Sequence, residues 1–219
     1  MLFTFCSCEK ASAEQETFSE QKESFYDLQG ENGFTGTLEE TNALVSILIG
    51  EKEGVAYVYN GEEAISEWFS GQISDLKKVE FTNTNGAKIT ASLIGNSFNG
   101  EVTLVDGRTL PFNAAVNDDE YGGIYRVIDE KAEKAEIMAD WIVQSEEDQR
   151  GAITFLSREL PNITLVKKNF EDINDGTSNT IVIKETSYSI FRYKVLKPPL
   201  TELGPTPPFV PIPYPNTSG

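Results

Sequence analysis

Residues Val79–Leu104 read VEFTNTNGAKITASLIGNSFNGEVTL, three short runs of alternating apolar and polar residues separated by Asn85-Gly86 and Gly95-Asn96. Ala87, Ile89, Ala91 and Leu93 fall on one face of an extended strand, with Lys88, Thr90 and Ser92 on the other. Val79/Phe81 and Phe98/Gly100/Val102/Leu104 repeat the pattern. Period two is the signature of a strand with one wet face. Asn-Gly between two such runs is the strongest short-range hairpin signal. The stretch therefore predicts an antiparallel meander.

The same reading extends outward. Phe34–Glu40 predicts a first strand. Ala43–Gly50 is almost continuously apolar, as in a strand buried on both faces. Val55–Tyr59 returns after the turn at Glu51–Gly54. Glu62–Trp68 alternates poorly and predicts one or two helical turns, with Ile65, Trp68 and Phe69 as a plug against a barrel end or sheet edge. Gly71–Ile73 and Thr109–Val116 add strands, the latter at an edge or bulge because of Pro111. Gly123–Ile128, Met138–Gln144 and Gln149–Phe155 follow, then Ile163–Lys167, Thr180–Lys184 and Tyr188–Val195. Phe34, Phe69 and Phe98 each open a Phe-x-Gly-x-apolar run. Glycine there permits the close backbone approach or bend that a closing sheet needs.

The fold class expected is all-β: an antiparallel up-and-down meander forming a calycin-like barrel or a two-sheet sandwich, with one short helix and a Pro-rich tail. Four segments are expected. Residues 1–30 are a signal remnant and flexible acidic spacer, 31–156 the antiparallel β domain, and 157–196 a β-rich extension. Residues 197–219 hold eight of the ten prolines and form an extended tail.

Composition narrows the chemistry. The net charge of −17 argues against nucleic acid and against anionic membrane surfaces, except through an anchor. The chain has no histidine, which removes His-based triads and His-ligated metals. Its two cysteines, Cys6 and Cys8, lie at the N-terminus, leaving none in the body for a disulfide or thiol nucleophile. No cofactor is implied. Ala11-Ser12-Ala13 has the form of a signal-peptidase site, whereas Phe5-Cys6-Ser7-Cys8 loosely resembles a lipobox, which would put lipid on Cys8. Both readings place the start of the signal upstream of Met1 and the protein in the cell envelope or outside the cell.

Several pieces together resemble a group of uncharacterised secreted bacterial proteins of actinobacterial and cyanobacterial type. They are Ala56-Tyr57-Val58-x-Asn60-Gly61, Glu67-Trp68-Phe69-Ser70-Gly71 and Asn85-Gly86-Ala87. Then come Gly100–Arg108, Ile124-Tyr125-Arg126, Trp141-Ile142-Val143 and Gln149-Arg150-Gly151-Ala152. The resemblance spans about residues 34–155 and implies an exported β-rich protein without implying an activity. Tyr59 stands where that group often has Cys, and Asp140 where Gly is usual. Asp172–Ile181, containing DGTSNT, resembles a segment of planctomycete pseudopilin-like envelope proteins, although Asp-Gly predicts a turn in any sequence.

No catalytic residue stands out. Glu67 and Glu101 are the carboxylates that a hydrolase would pair. Asp118 and Asp119 in one loop, and Asp172 and Asp175 in another, are the candidate calcium ligands, since only oxygen donors are plentiful. Tyr57, Tyr59, Trp68 and Trp141 are the candidate ligand-lining aromatics, with Phe81, Phe98 and Phe112 beside them. They are equally what a packed β core contains, and Trp68 and Trp141 are expected as its large anchors, Trp141 in phase with Ala139 and Val143. Arg108, Arg126 and Arg150 are expected to pair with carboxylates such as Glu67 or Asp140. The expectation for function is a non-enzymatic binding or structural module of the cell envelope, its partner an envelope protein or small ligand. The alternatives are an inhibitor of an extracellular hydrolase and, behind it, a carboxylate-pair hydrolase.

Overall fold

The computed structural model describes residues 32–127, 137–155, 158–161, 179–183 and 186–193, with positions 25, 28–30 and 132. The lipidation candidate Cys8, the calcium candidates Asp172 and Asp175, the expected strand Ile163–Lys167 and the Pro-rich tail lie outside the described residues.

The described chain is all-β and antiparallel. Eight strands form the first sheet: β1 (Phe34–Leu38), β2 (Leu44–Ile49), β3 (Glu53–Asn60), β4 (Ile65–Gln72), β5 (Lys78–Thr82), β6 (Lys88–Ile94), β7 (Ser97–Thr103) and β8 (Thr109–Val116). Their order is β4-β3-β2-β1-β8-β7-β6-β5. Sequence neighbours pair throughout except β4 and β5, and β1 closes on β8 with Phe34 opposite Val116. The sheet is thus an up-and-down meander curled into a nearly closed barrel, open only between β4 and β5. Side chains bridge that seam. Phe81 of β5 lies over Gly71 of β4, where a Cβ would strike its ring. Asn83 Nδ2 donates to Glu67 Oε2 at 2.6 Å.

Alternation decides what fills the barrel. Phe34, Ile47, Ala56, Phe69, Phe81, Ile89, Phe98, Val102 and Phe112 share the inner face and are all buried. Phe34 and Phe98 meet edge to face at 4.8 Å, and Phe25 adds a third ring 6.1 Å from Phe34. The interior is a packed core. Two glycines of the Phe-x-Gly repeat mark where strands come closest. A Cβ on Gly36 would land on the Asn113 carbonyl, and one on Gly100 on the Thr90 carbonyl. Both obstacles are backbone and cannot swing aside. Gly100→Ala should therefore lower the unfolding free energy by about 2–3 kcal/mol in urea titrations, whereas Ser92→Ala on the exposed face should change it little.

The second sheet contains β9 (Gly123–Val127), β10 (Ile137–Val143), β11 (Gln149–Phe155), β12 (Arg158–Pro161), β13 (Asn179–Ile183) and β14 (Thr186–Tyr193), in the order β12-β11-β10-β9-β14-β13. The break between sheets falls after Val116, so β9–β11 pair with the later strands and leave the barrel to residues 34–116. This sheet packs on the outer face of β2 and β3, its Ile124, Ile142 and Ala152 joining the barrel's apolar cluster. That explains why both strands are buried on both faces. Val45 and Ile47 point into the barrel, while Leu44, Leu48, Val55 and Tyr59 point at the second sheet. Over β5–β7 nothing among the described residues covers the outer face, and there Lys78, Glu80, Glu101 and Thr82 meet solvent.

Three local expectations are corrected. Glu62–Trp68 is not helical: residues 61–64 are a turn and Ile65 opens β4. Its two faces are both partly covered, Ile65 and Phe69 by the barrel core and Trp68 by the second sheet, which spoils the alternation. Pro111 sits in a central strand. Its carbonyl accepts from Glu39 N at 2.7 Å, so its nitrogen faces the end of β1 at the β1–β2 turn, and the missing N–H falls where the β1–β8 ladder ends. Finally, the helical plug at a barrel end comes from the segment read as a spacer. Phe25, Leu28 and Gln29 are helical. Phe25 is buried, and the Gln29 side chain pairs with both backbone groups of Ile49, donating at 2.9 Å and accepting at 2.8 Å.

Candidate functional site

Three of the four candidate ligand-lining aromatics do converge, in the layer between the sheets. Tyr57 and Trp68 are register partners on β3 and β4, so their side chains leave the barrel wall together. Their rings stack at 4.5 Å with 19° between planes, and Tyr59 lies 6.1 Å from Tyr57. From the second sheet, Arg126 places its guanidinium 4.6 Å from the centre of the Trp68 ring. Tyr57 and Arg126 therefore both pack against the indole, one by ring stacking and the other by a cation–π contact. The Tyr193 ring lies 5.7 Å from it, tilted by 48°.

Charge in this layer is compensated. Arg126 and Asp140 are register partners on β9 and β10, and both side chains are largely buried. Arg126 Nε lies 2.8 Å from Asp140 Oδ1, while Asp140 Oδ2 accepts from Trp68 Nε1 at 3.3 Å. Arg126 Nη1 reaches Tyr193 Oη at 3.5 Å. Burial raises the Tyr193 phenol's pKa, an effect that Arg126 partly offsets. The expected pairing of Arg126 with Asp140 is thus present. Arg108 instead pairs with Asp106 at 2.8 Å and Glu63 at 3.2 Å, and Arg150 with Asp148 at 3.2 Å.

Trp141 belongs elsewhere. It projects from the opposite face of β10, fully buried with Tyr125, Ala139, Val143 and Ile190. Its indole covers Gly151, its cross-strand partner, where a Cβ would strike the ring. Of the other aromatics, Phe81, Phe98 and Phe112 fill the barrel. The layer between the sheets is therefore an interlock of aromatic and ionic groups, its central ring in contact with Tyr57, Arg126 and Tyr193.

The carboxylate candidates are separated. Glu67 faces the barrel side of β4 at the seam, and Glu101 is exposed on the outside of β7. Glu101 borders a shallow, open depression of about 570 Å³ over β5–β7, shared with Glu80, Thr90, Ser92 and Asn99. Burial pushes the Glu67 pKa above its ordinary 4.5, and the bond from Asn83 partly counters that. Folding then favours the protonated form. Stability is fully present below pH about 4.5 and declines as pH rises through the folded pKa. Glu67→Gln keeps an acceptor for Asn83 and removes the charge. Urea titrations should show the wild type losing stability relative to this variant from acid to neutral pH, by less than about 1 kcal/mol because Glu67 is only half-buried.

Asp118 is exposed, and Asp119 is committed to its own turn, its Oδ1 accepting from Tyr121 N at 2.9 Å. Asn117 uses Nδ2 to bind Thr35 Oγ1 at 3.2 Å and Val143 O at 3.0 Å, tying barrel to second sheet. Among the described residues no three acidic side chains converge as a metal site would require. None of their helices is long and apolar enough to cross a membrane.

Sequence reasoning missed Gln29 and Asn117, the buried amides that join segments distant in the chain. The signal for the first was the Phe25/Leu28/Gln29 spacing at i, i+3 and i+4. No family model matches this chain, and no curated protein or solved structure is significantly similar to it.

Proposed function

We propose that this protein is an exported, non-enzymatic binding or structural module of the bacterial cell envelope. The observation that carries the reading is the filled barrel: its inner face is occupied by buried Phe, Ile, Leu and Val side chains. A catalyst of this architecture would need a lumen or a deep cleft to exclude water around its reacting groups. Here Glu67 and Glu101 lie on opposite faces of the barrel wall. The large aromatics are spent on packing, so recognition falls to the outer surface and loops. Among the described residues the exposed large apolar side chains, Ile94 and Val105, stand singly, in different hairpins, and do not form the apolar loop that an inhibitor would insert.

Two measurements test the reading. Mass spectrometry of the protein recovered from its native envelope fraction should find either lipid on Cys8 or a new N-terminus after Ala13, and an intact Met1 in the cytosol would overturn export. The purified protein should turn over no glycoside or ester substrate while retaining a reproducible envelope partner on an affinity matrix. Turnover abolished by Glu67→Gln would reinstate the hydrolase.

A further inference from the structure

The chain contains four Asn-Gly pairs, at Asn32, Asn60, Asn85 and Asn99. The same local sequence gives all four the same intrinsic chemistry, because glycine leaves the following amide nitrogen unhindered. That nitrogen can attack the asparagine side-chain carbonyl carbon. A carbon–nitrogen bond forms, and the side-chain amide departs as ammonia with the proton released by the attacking amide. Water then opens the five-membered imide at either carbonyl, leaving aspartate or isoaspartate.

The fold treats the four sites differently. Asn60 is buried, its Oδ1 accepting from Glu62 N at 2.9 Å and its Nδ2 donating to Glu63 Oε1 at 3.3 Å. Asn32 donates to Asp119 O at 2.7 Å and accepts from Arg192 Nη2. Asn99 lies within β7, held in the ladder by β6 and β8. It accepts from Asn113 Nδ2 at 2.6 Å and donates to Ser97 O at 3.4 Å. Asn85 is exposed in the β5–β6 turn, and its side-chain amide makes no hydrogen bond among the described residues. One bond restrains the attacking group there, Gly86 N to Asn83 O at 3.1 Å, on the solvent-exposed turn.

We propose that Asn85-Gly86 is a modification site at which the folded protein deamidates spontaneously in water, while the other three pairs are protected by their hydrogen bonds and strand geometry. The product adds a carboxylate to an already acidic chain, and the isoaspartate form lengthens the turn backbone by one carbon. That turn is organised by Asn83, whose Oδ1 accepts from Asn85 N and Ala87 N while its Nδ2 holds Glu67 across the barrel seam.

The test is ageing of the full chain in mildly alkaline buffer, followed by peptide mapping. Asn85 should convert about tenfold faster than each of the other three, since two side-chain bonds must open at those sites before attack. A more acidic species should grow on ion exchange, and Asn85→Gln should abolish it. In urea, where the fold is gone, the four sites should converge to similar rates. Conversion of Asn32, Asn60 or Asn99 in the folded protein as fast as Asn85 would overturn the proposal. So would no conversion at Asn85, or the same preference for Asn85 in urea.

Discussion

Truncating Trp141 to alanine should lower the unfolding free energy by about 3–5 kcal/mol, a large share of what a domain of this size possesses. The indole is completely buried among Tyr125, Val143 and Ile153, and it covers Gly151, which has no side chain to refill the space. Trp68→Ala should cost less, since Trp68 is only partly buried and Tyr57 and Arg126 can close over part of the gap. The chain's two tryptophans make the comparison direct. In Trp68→Phe the remaining fluorescence reports Trp141 and should resist acrylamide quenching; in Trp141→Phe it should be quenched in part. Equal melting temperatures for Trp141→Ala and the parent would remove Trp141 from the core.

The second large effect concerns the ion pair between the sheets. Asp140→Ala should cost about 3–5 kcal/mol, because it removes a largely buried ion-pair partner of Arg126 and the acceptor of Trp68 Nε1 in a site with little water. Replacing both partners, as Arg126→Met with Asp140→Leu, should recover part of that loss, since it removes the two buried charges together while Trp68 Nε1 still loses its acceptor. Urea titrations of the two single variants and the double variant give the coupling directly. A loss below about 1 kcal/mol for Asp140→Ala would mean that water or other polar groups between the sheets already compensate Arg126.

The barrel was legible because its wall from β5 to β8 faces solvent on one side. Val79, Phe81, Ile89, Ala91, Phe98 and Val102 alternate with polar neighbours, and Asn85-Gly86 and Gly95-Asn96 fall at the hairpin turns. The glycines of the Phe-x-Gly repeat were legible as points of close approach, and two of them meet neighbouring backbone. What the sequence hid was pairing at a distance. Alternation tells a strand which face to bury without naming its neighbour. The switch of sheets after Val116 therefore left no local trace. Trp68 was misplaced for the same reason: a large apolar residue on the outer phase of β4 is readable only once a second sheet is known to cover it. The candidate site was legible as residue types, in Tyr57, Trp68, Arg126 and Asp140. Its role as an interlock was not, because the contacts of Trp68 with Arg126 and Asp140 join strands more than fifty residues apart.

The pairing of the first barrel strand with the last has a kinetic consequence. Phe34 meets Val116 only after seven further strands have been made, so the closing ladder carries the longest loop-closure cost in the barrel. Until then β1 presents an unpaired edge, and the outer face of β2 and β3 waits longer still for β9–β11. A chain threaded through a membrane N-terminus first would expose Leu44, Leu48 and Tyr59 throughout that interval. Its yield should therefore depend on how fast the C-terminal half follows, and a chaperone that shields nascent apolar strands should matter more to it than to a domain built from local contacts.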